Sequence, residues 1–287
     1  MVMYYTKEYL SALAPKIRMQ AEAFDAAMAH FDEIDPSEAE EIARFLAVPT
    51  LQREEKDPTL YKIAEMENGD LLCVLLYMAA AGYTHENYKK KGIPDSIFYD
   101  SFNCLAEKME TAKRFTGKWS YPSILWPSRM TCMQTFRIGR LSFAMERAVQ
   151  DILNGDEILI EKGARYVHIH IADNDKLCGC EESVRAARAF FAEFYPEYKD
   201  AVFYTRTWLM DPRLAEILPP ESNIMQFQKV FHIIGQMDNE KEVLARIFGP
   251  AKESLDDYVP TSSLARAVLA RLKRGEHLGS GWGYTRY

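Results

Sequence analysis

Between residues 140 and 234 the hydrophobic period switches from two to 3.6 and back, and this alternation most constrains the fold. Leu141, Phe143 and Met145 alternate with Ser142, Ala144 and Glu146, as in a strand with one apolar face. Strand-like runs follow at 157–161 and 165–172. In the second, Val167, Ile169 and Ile171 take one face, and Tyr166, His168 and His170 take the other. A polar loop at 173–180 leads into a helix over 181–195, with Val184, Ala187, Phe191 and Phe194 on one side. A strand at 201–209, a short helix at 212–217 and an apolar strand at 224–234 complete the block. The order β-β-β-α-β-α-β predicts a mixed sheet with helices.

The residues before this block read as helical. Leu10, Leu13, Ile17, Phe24, Met28 and Phe31 share one helical face. Asp35-Pro36-Ser37 interrupts it, and Ser37 with Glu40 has the spacing of a capping box. Asn68-Gly69 marks a turn ahead of the apolar run 71–83, which is too short for a membrane span of about 20 residues and reads as a buried helix. After Gly92-Ile93-Pro94, the residues Phe98, Phe102, Leu105, Met109 and Ala112 form a further amphipathic face. Residues 115–135 read as a connector whose Trp119 and Trp126 pack onto domain surfaces.

Composition narrows the function classes. The chain has 287 residues, 48% of them hydrophobic, and a formal net charge of −7. That length allows two domains, each with its own core. The acidic balance and short basic runs (89–91 and 271–274) argue against a nucleic-acid partner. Residues 1–18 are charged and amphipathic, unlike a secretory signal. The five cysteines are an odd number, which predicts reduced thiols and a cytoplasmic protein. The glycine-rich tail Gly279-Ser-Gly281-Trp282-Gly283 has no predicted strand before it or helix after it, so it does not read as a phosphate loop.

Four stretches resemble one bacterial family: Phe136-Arg-Ile-Gly-Arg-Leu-Ser-Phe143, Val167-His-Ile-His-Ile-Ala172, Trp208-Leu-Met-Asp-Pro212 and Ser222-Asn-Ile-Met-Gln-Phe227. That family joins a helical N-acyltransferase-type N-terminal domain to a GNAT-like C-terminal domain. The resemblance implies an α+β protein with a helical domain at 1–134 and a GNAT-like domain at 135–287. It also implies acyl transfer from acyl-CoA to an amine of a small molecule or peptide, with the helical domain over the acceptor site. Oligomeric state, acyl group and acceptor stay open.

This chemistry needs backbone N–H groups at a helix N-terminus to receive the CoA pyrophosphate. The candidate loop is Lys176, Leu177, Cys178, Gly179, Cys180 and Glu181. Lys176 and Gly179 fit the spacing of the GNAT loop, whereas Glu181 stands where a small residue is usual and places a negative charge beside the anion. A general base needs a pKa near neutrality, and histidine is closest unperturbed. The resemblance points to His168 and His170, with His170 nearer the loop. It also calls for a proton donor to the leaving thiolate. The helix at 212–217 carries no tyrosine, so Tyr204 is the substitute, with Ser222 behind it.

Two rival readings stay open. One is a catalytically silent GNAT-like module that binds acyl-CoA or a partner. The other is a metal-binding hydrolase using His168 and His170, with Cys178 and Cys180 as further possible ligands. Neither pair has the two-residue gap of a zinc knuckle, and His168-Ile-His170-Ile-Ala-Asp173 departs from binuclear-hydrolase spacing, so no metal is assigned.

Overall fold

The computed structural model describes residues 2–50, 58–172 and 176–285. Asp173, at the start of the predicted loop, lies outside them. The chain forms two compact units. One runs up to Glu146 and includes the strand end at Ile171 and Ala172. The other holds Arg147–His170 and the chain from Lys176 onward.

The first unit is helical: α1 (Lys7–Leu13), α2 (Ala21–Met28), α3 (Pro36–Leu46), α4 (Pro58–Ala64), α5 (Gly69–Lys91), α6 (Asp95–Phe102), α7 (Cys104–Thr116) and α8 (Ser128–Thr131). The helix α5 is its centre, with every residue from Leu71 to Ala81 buried. It starts after Asn68 and ends at Gly92, which takes a left-handed conformation with φ 77. The hairpin of β1 (Thr135–Ile138) and β2 (Leu141–Arg147) turns at Gly139. Arg137 of the hairpin is buried and paired with Glu107, and its backbone N–H donates to Ser101 Oγ at 2.8 Å.

Two expectations in this unit are corrected. The face from Leu10 to Phe31 is not one helix. A 3-10 turn over Ala14–Ile17 carries Pro15 at its start, and Arg18 takes a left-handed conformation, which separates α1 from α2. Ser37 and Glu40 form no capping box. Asp35 caps α3 by accepting from the N–H groups of Ser37 and Glu38. Glu40 is buried and instead accepts from the backbone N–H groups of Tyr4 and Tyr5 and from the Tyr83 hydroxyl. Within the predicted connector, Lys113 lies over Trp119 and Arg129 over Trp126.

The second unit holds β3 (Ile152–Asn154), β4 (Glu157–Ile160), β5 (Arg165–Ile171), α9 (Cys180–Phe194), β6 (Val202–Thr207), α10 (Asn223–Gln228), β7 (Phe231–Asp238), α11 (Glu240–Phe248), α12 (Ser263–Lys273) and β8 (Gly279–Thr285). Its sheet runs β5-β6-β8-β7. The pair β5–β6 is parallel, while β6–β8 and β8–β7 are antiparallel. A mixed sheet flanked by helices results, as predicted. On one side Leu214, Val243, Val268, Leu272 and Leu278 form a core. Another core gathers Tyr166 and Tyr204 with Ile160 of β4.

Two elements differ from the sequence reading. The apolar stretch at 224–234 is not a single strand, because Ser222 caps α10 by accepting from the Met225 N–H, and β7 begins only at Phe231. The glycine-rich tail is β8, an interior strand between β6 and β7. Glycine is needed there because the backbone of other segments comes close. A Cβ on Gly281 would lie 2.1 Å from Met210 O, and one on Gly283 would lie 2.3 Å from His232 O.

Candidate active site

The parallel ladder between β5 and β6 is short. It pairs Tyr166 with Val202, Val167 with Phe203, and His168 with Tyr204. Both strands continue beyond the last pair. At that point Thr205, fully buried, donates from Oγ1 to the carbonyl of Ile169 at 3.0 Å, so a side chain joins the strands just past the ladder.

Alternation along β5 puts Tyr166, His168 and His170 on one face. The imidazoles of His168 and His170 have ring centroids 4.2 Å apart. The Tyr204 ring is 6.0 Å from that of His168 and 6.1 Å from that of Tyr166. Tyr204 is buried, and burial pushes its phenol up to about 12, with the Arg206 guanidinium acting in the opposite direction. The phenol therefore keeps its proton at neutral pH. Three of the four predicted catalytic residues thus share one face of β5 and β6.

Ser222 sits elsewhere, at the start of α10, and its hydroxyl is engaged as the cap of that helix at 3.3 Å from Met225 N. The 3-10 turn Pro212–Glu216 is held by Asp211, which is fully buried. Its carboxylate accepts from Arg213 Nε and Nη2 and from the backbone N–H of Gly279, the last at 2.6 Å.

The predicted cofactor loop leads into α9. Gly179 is the residue before the helix, with φ 69, a conformation that glycine adopts without strain. As a glycine, the residue before the helix has no side chain with which to cap it. Lys176 and Cys178 are exposed, while Leu177 and Cys180 are buried. Glu181, the poor fit in the sequence, pairs with Arg185 one turn on at 2.7 Å. That pairing offsets the negative charge which would otherwise oppose an anion. Lys176 and the backbone leading into α9 are donors of the kind that a pyrophosphate needs.

Thr205, Arg206 and Trp282 belong to no motif that marks a site in the sequence. Period two from Tyr204 leads to Arg206, but Trp282 gains a position only when the tail is known to be a strand. The register then sets it directly opposite Arg206.

Residues 135–285 match the GNAT-like C-terminal domain family, and residues 8–133 match the N-acyltransferase N-terminal domain family. The chain belongs to this two-domain N-acyltransferase family. The family resemblance drawn from four short stretches is therefore borne out over nearly the whole length. A comparison with curated proteins returns no match. Among solved structures, an acyltransferase in complex with decanoyl-CoA aligns with a TM-score of 0.80 at 19% identity, covering 98% of this chain and 88% of that one. An acyltransferase in complex with CoA and 10C-teicoplanin aligns with a TM-score of 0.78 at 19% identity, covering 99% and 90%. Another, with decanoyl-CoA and teicoplanin, gives 0.76 at 20% identity, covering 98% and 88%. At these identities the likeness is one of fold. It agrees with the helical region followed by a mixed sheet with flanking helices.

Proposed function

We propose that this protein is a cytoplasmic, acyl-CoA-dependent N-acyltransferase acting on a small-molecule or peptide amine, with its chemistry at the β5–β6 face of a GNAT-like domain spanning 135–287. The observation that carries the reading is the union of two features in one unit. The α9 N-terminus behind Gly179 suits a pyrophosphate, and the His168, His170 and Tyr204 rings gather at the end of the parallel ladder. The acyltransferases of like fold carry acyl-CoA or CoA, in keeping with acyl-CoA as donor.

Acyl-CoA, when bound, supplies an electrophilic thioester carbonyl and a thiol leaving group. The residues of the chain then have separate tasks. Lys176 and the backbone from Leu177 to Glu181 hold the pyrophosphate, with Gly179 allowing close approach and Cys178 and Cys180 contributing backbone rather than thiols. His170 takes the proton from the attacking amine, and His168 beside it shares that proton or orients the ring. Tyr204 is protonated at neutral pH and gives its proton to the departing sulfur. Ser222, whose hydroxyl is engaged as the cap of α10, takes no part in the proton transfer.

Calorimetric titration with acetyl-CoA and decanoyl-CoA tests the donor half of the proposal. The wild type is expected to bind at least one of them in the micromolar range. Gly179→Val, which forces a branched side chain into a left-handed backbone, is expected to abolish binding. Absence of binding by the wild type overturns the proposal.

A further inference from the structure

The face of β6 that carries Tyr204 continues, two residues on, to Arg206. At a rise of about 3.3 Å per residue this places the Arg206 Cα roughly 7 Å from that of Tyr204. Register with β8 sets Trp282 opposite Arg206, and the guanidinium carbon lies 5.8 Å from the centre of the indole. Trp282 is held in place from behind, because its ring fills the space above Gly235, where a Cβ would come within 2.4 Å of it.

Arg206 faces no carboxylate within ion-pair distance among the described residues. Its side chain is exposed, and its other contact is from Nη2 to the Met237 sulfur at 2.7 Å. A thioether is a weak acceptor and is readily displaced by an anion. The acid at the end of the neighbouring strand, Asp238, is taken by Arg213 at 2.6 Å. A planar guanidinium beside an indole offers an in-plane fork for a carboxylate and an apolar wall for the substituent that carries it.

We propose that Arg206 and Trp282 form a carboxylate-reading subsite for the acceptor, so that the preferred amine is an amino acid rather than a simple amine. This rests on the acyltransferase reading above. In it, the amine nitrogen lies by His170 and Tyr204 while the carboxylate reaches along β6 to Arg206. The acyl transfer is unchanged: the amine loses a proton, the amide bond forms, and the CoA thiol leaves with its proton.

The test measures acyl transfer from acetyl-, octanoyl- and decanoyl-CoA to the twenty standard amino acids and to their amides, with calorimetry of the same acyl-CoAs alongside. At least one amino acid is expected to exceed its own amide in kcat/KM by about tenfold, the size of one charge-assisted hydrogen bond. Arg206→Gln is expected to bring that ratio close to one, with the loss falling on KM, and Arg206→Lys is expected to restore part of it. Three outcomes overturn the subsite while acyl-CoA still binds: no amino acid is acylated, the amides react as well, or the ratio survives in Arg206→Gln. Failure of every acyl-CoA to bind overturns the acyltransferase reading itself, and the subsite with it.

Discussion

Burial keeps the Tyr204 phenol protonated well past neutrality, at about 12, so the proton that the proposed transfer calls for is present. His170, two residues past the last common reach of the ladder, has the side chain whose ordinary pKa suits a base. The cysteines divide by the same physics of burial. Cys73 is buried, and burial raises its thiol to about 12. Cys104 is raised as well, and Cys132 and Cys180 are also buried, whereas Cys178 is exposed. Only a thiolate attacks a disulfide reagent. At pH 8 a chromogenic disulfide is therefore expected to titrate one thiol quickly in the native protein and all five in denaturant. Acyl-CoA is expected to slow the fast reaction, since Cys178 lies on the proposed pyrophosphate loop. Rapid labelling of several thiols in the native protein would contradict this assignment of burial.

At the scale of elements, β8 depends on Asp211 as much as on its own glycines. The Asp211 carboxylate holds Arg213 and the N–H of Gly279 together, so it ties the turn after β6 to the first residue of β8. Removing a buried partner leaves donors unsatisfied. Asp211→Ala is expected to cost about 3 kcal/mol in chemical denaturation, on the order measured for breaking buried pairs; a cost under about 1 kcal/mol would contradict the role given to it. This network was invisible in the sequence, because its partners are far apart along the chain and a glycine-rich tail looks like a loop. Neighbouring backbone, not flexibility, is what selects glycine at Gly281 and Gly283. The face of β5 was legible because Val167, Ile169 and Ile171 alternate with two histidines and a tyrosine. The start of α10 was not, because Ile224, Met225 and Phe227 suit a helix or a strand equally, and the cap from Ser222 resolves the ambiguity. Similarly, Glu40 has capping-box spacing from Ser37, yet the N–H groups of Tyr4 and Tyr5 are its partners.

For the molecule as a whole, periodicity marks a helical part up to Thr116 followed by strands and helices in alternation, whereas the family architecture came only from the resemblance of four short stretches. Glu181 looked like an obstacle to CoA because its neutralising partner, Arg185, is seen only when the helix is drawn. Among the described residues no helix is long and apolar enough to cross a membrane. In the proposed function the β5–β6 face catalyses acyl transfer rather than merely holding an acyl-CoA. The measurement that tests it most directly is release of CoA thiol in the presence of an amine panel, compared between wild type and His170→Ala after both have been titrated with the same acyl-CoA. The wild type is expected to release thiol in an amine-dependent way. His170→Ala is expected to fall by about 100-fold or more, the span of general-base catalysis, with acyl-CoA affinity retained. Full turnover by His170→Ala, or acyl-CoA binding by the wild type with no amine-dependent release, would contradict it.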